Sequence, residues 1–253
     1  MIGKKFILTG GTGGLGESIL KELIHRGAQV LVIGRNGEQL KSYTEHYQHI
    51  AVYQLDLSDK EQISALITHI RSKGESYDGI INNAGYGYFK TFLDHTDEEV
   101  TDMFNVNVVH AIRLQKGLLP VLRPGASIVN IASQAARVTT PYGSIYAATK
   151  AALLSFSDAL RLEHPEFHVM TVNPGPIATN FFSRADATGR YEILTKGIQL
   201  DKDALAREIV AGMTDRKLEV NRPLWMHHGL TLYNLAPRSV EKLFRRFFLS
   251  KKP

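Results

Sequence analysis

Lys4-Lys-Phe-Ile-Leu-Thr-Gly-Gly-Thr-Gly-Gly-Leu-Gly16 is the stretch whose reading decides the fold. Lys4–Thr9 is a short apolar run that reads as a buried strand. The glycine loop follows, and Glu17–Arg26 beyond it carries Ile19, Leu20, Leu23 and Ile24 on one helical face. Strand, glycine loop and helix, in that order, form the setting in which a glycine-rich stretch binds phosphate. The N–H groups at the helix start carry partial positive charge, and the missing side chains let a pyrophosphate approach them. The competing reading is a tight turn with surplus glycines. The T-G-x-x-x-G-x-G spacing is one residue wider than the usual G-x-G-x-x-G of a dinucleotide fold, which indicates a variant.

Outward from this stretch the same alternation continues. Strands are expected at Gln29–Gly34, Ile50–Leu55, Tyr77–Ile81, Ser127–Ala132 and His168–Asn173. Helices are expected near Gly37–Tyr47, over Lys60–Lys73 with Ser58 as its cap, over Asp97–Leu119, and from Tyr146 through Leu160. Six strands alternating with helices, without repeat or linker, predict an α/β chain. Its architecture is a single Rossmann-like domain over residues 1–253, a doubly wound parallel sheet with helices on both faces.

Several side chains stand where such a sheet does its chemistry. Gly34-Arg35 ends the second strand, where a carboxylate would hold a ribose 2′-hydroxyl; Arg35 suits a 2′-phosphate instead, so NADPH is preferred, with NAD as the alternative. The competing reading of Arg35 is a surface arginine closing a loop. Asp56 could bond an adenine amino group or simply close a turn. Asn82-Asn-Ala-Gly85 puts small residues at a strand end where a cofactor lies, and Asn83 could also serve only to tie strands together. Tyr146 and Lys150 sit one helical turn apart on one face, so the lysine charge is expected to draw the phenol from about 10 toward the working range. Tyr86 and Lys90 share the spacing, but the glycines at 85 and 87 argue against a helix there. Asn107 inside an apolar helix reads first as a satisfied hydrogen bond or a kink.

Composition narrows the class. With 253 residues, 43% hydrophobic and 22% charged, the chain reads as an ordinary globular protein. It has no cysteine, which removes disulfides and thiolate metal sites, and no metal is expected. No apolar run approaches a membrane span, and a strand begins almost at the N-terminus, so a cytoplasmic location is expected. The net charge of +5 is local. Arg238, Lys242, Arg245, Arg246, Lys251 and Lys252 face one acid, Glu241, in residues 237–253, leaving 24 basic and 24 acidic side chains before them. This argues against a nucleic-acid partner and for a property of the C-terminus.

The whole pattern resembles the classical short-chain dehydrogenase/reductase family, over residues 4 to about 221. The likeness rests on TGGTGGLG at 9–16, Asp56, NNAG at 82–85, Asn107, Ser133, YAATK at 146–150 and PGPIAT at 174–179. It implies an oxidoreductase in which Tyr146 gives a proton to a carbonyl oxygen, Ser133 holds that oxygen, and Lys150 bonds the nicotinamide ribose. It further implies a relay water at Asn107, and cofactor contacts from Gly10, Thr12, Gly14, Leu15, Gly16, Ile177 and Thr179. A homo-oligomer is implied as well.

The segment 180–200 is where the family builds a substrate lid; Phe181, Phe182, Tyr191, Ile193 and Leu194 make it apolar, with Arg184 and Lys196 the available charges. Val138–Tyr142 and Tyr86–Phe89 are expected as further walls. An apolar ketone, aldehyde or alcohol is the expected substrate; packed core is the competing use of these aromatics. Residues 223–253 form an extension. In its last helix, Arg238–Leu249, apolar Val240, Leu243, Phe244, Phe247 and Phe248 share one face among basic residues. Packing on its own subunit or a partner is favoured over contact with an anionic membrane surface through 237–253. The alternatives to an enzyme are a dinucleotide sensor and a membrane-surface scaffold on the same fold.

Overall fold

A computed structural model describes residues 1–181, 185–186 and 189–249 of the chain. Phe182, Arg184, Lys251 and Lys252 lie outside those residues, as do the side chains of Phe247 and Phe248.

Strand β1, Lys5–Thr9, is the third of seven in a parallel sheet of order β3-β2-β1-β4-β5-β6-β7, the last being Glu219–Arg222. Its neighbours are β2, Gln29–Gly34, and β4, Tyr77–Asn82. The order runs outward through β3, Ile50–Gln54, on one side and through β5, Leu122–Ile131, and β6, His168–Pro174, on the other. Both faces of the sheet are covered, which is why the central strands read as unbroken apolar runs. Phe6, Leu8, Val30 and Val32 point to the face packed by Ile19, Leu20 and Leu23 of α1, Gly14–His25. Ile7, Leu31, Ile33 and Ile80 point to the other, against Ile63, Leu66 and Ile70 of α3, Lys60–Ser72. On the α1 face, α2, Gly37–His46, packs beside β3 through Leu40 and Tyr43. Truncating one such side chain to alanine removes buried area and leaves a hole, at a cost of roughly 2–5 kcal/mol.

The structure corrects the sequence reading at four places. A seventh strand, β7, Glu219–Arg222, pairs in parallel with β6. Four residues with only Val220 buried leave too little apolar signal to find it. The expected helix over 97–119 is α4, Asp97–Phe104, then a π turn at Asn105–Val109, then α5, His110–Leu118. The cap of α3 is Asp59, whose carboxylate accepts from the backbone of Glu61 and Gln62, and not Ser58. The expected helix 238–249 is two short ones, Pro237–Leu243 and Arg245–Leu249.

Sequence order reverses between β1 and β4, so the loops leaving their carboxyl ends part and open a crevice. The glycine loop and the NNAG turn meet in that crevice.

Candidate active site

A cleft of about 1500 Å³ runs along the carboxyl ends of the strands. At one end it is lined by Gly10, Thr12, Gly14 and Leu15 of the glycine loop, with Arg35, Asp56 and Asn83. At its middle are Ser133, Tyr146 and Lys150, with Ile177 and Thr179 beside them.

The glycine loop is held by close approach. Gly10 has φ 67°, and a Cβ there would stand 2.9 Å from Ala84 Cα. A Cβ on Gly16 would fall 2.1 Å from the Gly10 carbonyl oxygen, so neither position accepts a side chain without moving backbone. Asn83 Nδ2 donates to the carbonyls of Thr9 and Gly10 at 3.2 and 3.1 Å, so this side chain ties β4 to the loop. Helix α1 starts behind Gly13 with no side-chain cap, leaving its first N–H groups to the cleft. Across from it, Thr179 Cγ2 lies 3.3 Å from where a Gly14 Cβ would be, so the PGPIAT turn closes over the loop. An uncapped helix start behind a loop without side chains fits a pyrophosphate.

Arg35 is exposed at the rim, and Thr12 lies against Gly34 beside it. Asp56 is the turn carboxylate: Oδ1 accepts from Ser58 N and Ser58 Oγ, both at 2.9 Å, while the residue also lines the cleft.

The middle of the cleft is built by three elements. The end of β5 delivers Ser133, whose Oγ accepts from Ala135 N at 3.1 Å. Helix α6, Ser144–Glu163, carries Tyr146 and Lys150, both buried. Packed directly against it is the π turn holding Asn107, which is buried behind the cleft wall. Asn107 Oδ1 accepts from Tyr86 N at 3.0 Å, and Nδ2 donates to Tyr86 O at 2.7 Å and Thr149 Oγ1 at 3.0 Å. The asparagine therefore locks the loop after β4 to α6. A Cβ on Gly85 would lie 3.0 Å from Asn107 Oδ1 and 3.2 Å from Lys150 Nζ, so both groups flank one point.

The electrostatics differ from the sequence expectation. Burial pushes the Tyr146 phenol up to about 12, only partly offset by the hydroxyl of Ser133. Burial pushes Lys150 down to about 8. Its Nζ donates to the Ile131 carbonyl at 2.8 Å and lies 5.8 Å from the Tyr146 ring centroid. Desolvation of the phenol, rather than the lysine charge, sets the direction of its shift.

An aromatic cluster covers Tyr146. Phe89 and Phe181 stand with ring centroids 5.7 Å from it, and Tyr191 stacks on Phe89 at 4.2 Å. A Cβ on Gly87 would come within 2.4 Å of the Tyr146 ring, so the loop after β4 lies flat on the phenol. Of the expected walls, Tyr86–Phe89 and Val138–Thr140 line the cleft, as do Phe181, Tyr191 and Leu194.

Two contributors escaped the sequence reading. Helix Leu224–Tyr233 lines the far end through Trp225, Met226 and Leu230. Gln134, next to Ser133, is buried in the cleft wall, and neither atom of its amide has a hydrogen-bond partner among the described residues. A polar residue following a strand-end serine is too common a pattern to have signalled this.

Known proteins share this architecture. Residues 4–189 match the family model described as short chain dehydrogenase. The Helicobacter pylori (strain J99) protein named "Probable short-chain type dehydrogenase/reductase VdlC" is 28% identical, over 97% of this chain and 98% of its own. A short-chain dehydrogenase from Sphingobium yanoikuyae, solved in complex with NADPH, has a TM-score of 0.78 at 23% identity, covering 94% of this chain and 95% of its own. A short-chain dehydrogenase/reductase from Burkholderia phymatum, solved in complex with NAD, has a TM-score of 0.82 at 17% identity, covering 92% and 93%. The chain belongs to the short-chain dehydrogenase/reductase family of NAD(P)-dependent oxidoreductases.

Proposed function

We propose that the protein is an NADPH-dependent reductase that interconverts an apolar ketone or aldehyde with its alcohol, using Tyr146 as acid and base. The observation that carries this is the convergence of Ser133, Tyr146 and Lys150 on one stretch of cleft, next to the glycine loop.

The bound nicotinamide supplies a hydride. Ser133 Oγ then holds the carbonyl oxygen, and Tyr146 gives its proton to that oxygen as negative charge develops there. A phenol raised to about 12 keeps its proton at neutral pH yet remains a stronger acid than the alcohol it makes, so it can supply the proton that reduction needs. Lys150, charged below about 8, bonds the nicotinamide ribose and returns a proton toward Tyr146. Asn107, flanking the same point as Lys150, holds the water that links the two to solvent. Gly10, Thr12, Gly14, Leu15 and Gly16 cradle the pyrophosphate, and Asp56 and Asn83 line the adenosine half. Ile177 and Thr179 hold the nicotinamide end. Arg35 pairs with the 2′-phosphate, because a guanidinium gains a charge-assisted bond there that a hydroxyl cannot give. The apolar wall of Phe89, Phe181, Tyr191, Leu194, Trp225 and Leu230 selects a hydrophobic substrate.

The test is Tyr146→Phe, assayed against a panel of apolar ketones by loss of NADPH absorbance. NADPH binding should persist while turnover falls by about 100-fold or more. Turnover like that of the wild type would remove Tyr146 from the acid role.

A further inference from the structure

The C-terminal helices are mounted with their polar side inward. Glu241 accepts hydrogen bonds from Tyr233 OH at 2.6 Å, from Thr139 Oγ1, and from Arg238. Asn234 Nδ2 donates to the Arg137 carbonyl at 3.2 Å. These bonds hold the Glu241 carboxyl down to about 2, so it stays ionised and tied to the body. Several apolar side chains of the same segment face out. Leu232 is 70% exposed, Leu235 79%, Leu243 77% and Phe244 52%. Leu243 and Phe244 therefore do not pack on their own subunit, one of the two arrangements expected from the periodicity. A segment that ties its acid to the body and exposes its leucines has a face meant to be covered.

We propose that this face, from Leu232 to Leu249, docks on an anionic lipid surface. Lys242, Arg245 and Arg246 are exposed beside the leucines, and Glu241, the one acid of the segment, is already committed to Tyr233, Thr139 and Arg238. A second copy packed symmetrically here would bring like charges together without a free carboxylate to meet them. Phosphatidylglycerol or phosphatidylserine headgroups supply the missing negative charge, and acyl chains the apolar cover. The helix that ends in this face begins at the cleft, and its Trp225 both lines the cleft and is 62% exposed. Docking therefore brings the apolar end of the cleft toward the lipid. The inference stands on the tail alone and does not rest on the proposed chemistry.

The experiment is sedimentation of the full chain with vesicles of phosphatidylcholine alone, or of phosphatidylcholine mixed with phosphatidylglycerol. Pelleting should be about tenfold greater with the anionic vesicles and should weaken with added salt. The double variant Leu243→Glu, Phe244→Glu should lose it by a similar factor while still binding NADPH, since neither residue lines the cleft. Equal pelleting on both vesicles, or none, would overturn the proposal. So would a dimer in light scattering that the double variant dissolves, because the face would then belong to a second copy.

Discussion

The ammonium of Lys150 lies 5.8 Å from the ring centroid of Tyr146 and directs its hydrogen bond to the carbonyl of Ile131, at 2.8 Å. The two groups are neighbours whose titrations are pushed apart, to about 8 for the lysine and about 12 for the phenol. Below about 8 both carry their protons. Above it the lysine charge is lost first, while the phenol still holds its proton. Reductive kcat/KM should stay level from about pH 6 to about 8 and then fall tenfold per unit. Lys150→Arg, which does not titrate in this range, should flatten that fall in whatever activity it keeps. A profile level to about pH 10 in the wild type would take Lys150 out of the rate.

Gly87→Ala tests how rigidly the phenol is held. The new methyl would meet the Tyr146 ring at 2.4 Å, and Phe89 and Phe181 leave that ring little room to retreat. NADPH affinity should hold while kcat falls roughly 10- to 100-fold, because a misplaced acid loses its alignment with the oxygen. An unchanged kcat would mean that Tyr146 can shift without consequence.

Arg35→Asp addresses the choice of cofactor. Fluorescence titration with NADPH and NADH, at one salt concentration, should show the preference move toward NADH by about tenfold or more, as a charge-assisted phosphate contact is lost. If the ratio stays where it was, the phosphate contact lies elsewhere, with Thr12 the first side chain to examine.

Gln134→Leu should separate stability from use. Replacing a buried amide that has no partner by an apolar group of similar size should raise stability by about 1 kcal/mol, read from the urea midpoint. KM and kcat should stay near the wild-type values, because both amide atoms are closed off from the cleft. A several-fold rise in KM would show instead that the amide reaches the substrate.

The frame of the molecule was legible because its signals are local. Apolar runs that stop at small residues marked β1, β2 and β4, and the spacing of glycines, Ser133, Tyr146 and Lys150 identified the cleft that they share. What escaped depends on contacts distant in sequence. β7 is a strand only because β6 offers it an edge, and Val220 alone carries apolar weight. Spacing could bring Lys150 beside Tyr146, but it could not say that burial would outweigh the lysine charge. Periodicity grouped Leu243 with Phe244 on one helix, but the helix breaks between them, and the bond from Tyr233 to Glu241 decides which way they face. Gln134 gave no signal at all, since an unpaired amide is defined by what surrounds it.

Every side chain assigned to the proton transfer, from Asn107 to Lys150, lies within residues 4–189, the span shared with the family model. Tyr191, Leu194, Trp225, Met226 and Leu230, which line the apolar end of the cleft, all come after it. The proton-transfer side chains thus precede most of the apolar lining, with Phe89 and Phe181 of that wall inside the shared span. A graft from residue 190 onward could change which molecule is admitted while the machinery that converts it is carried over intact.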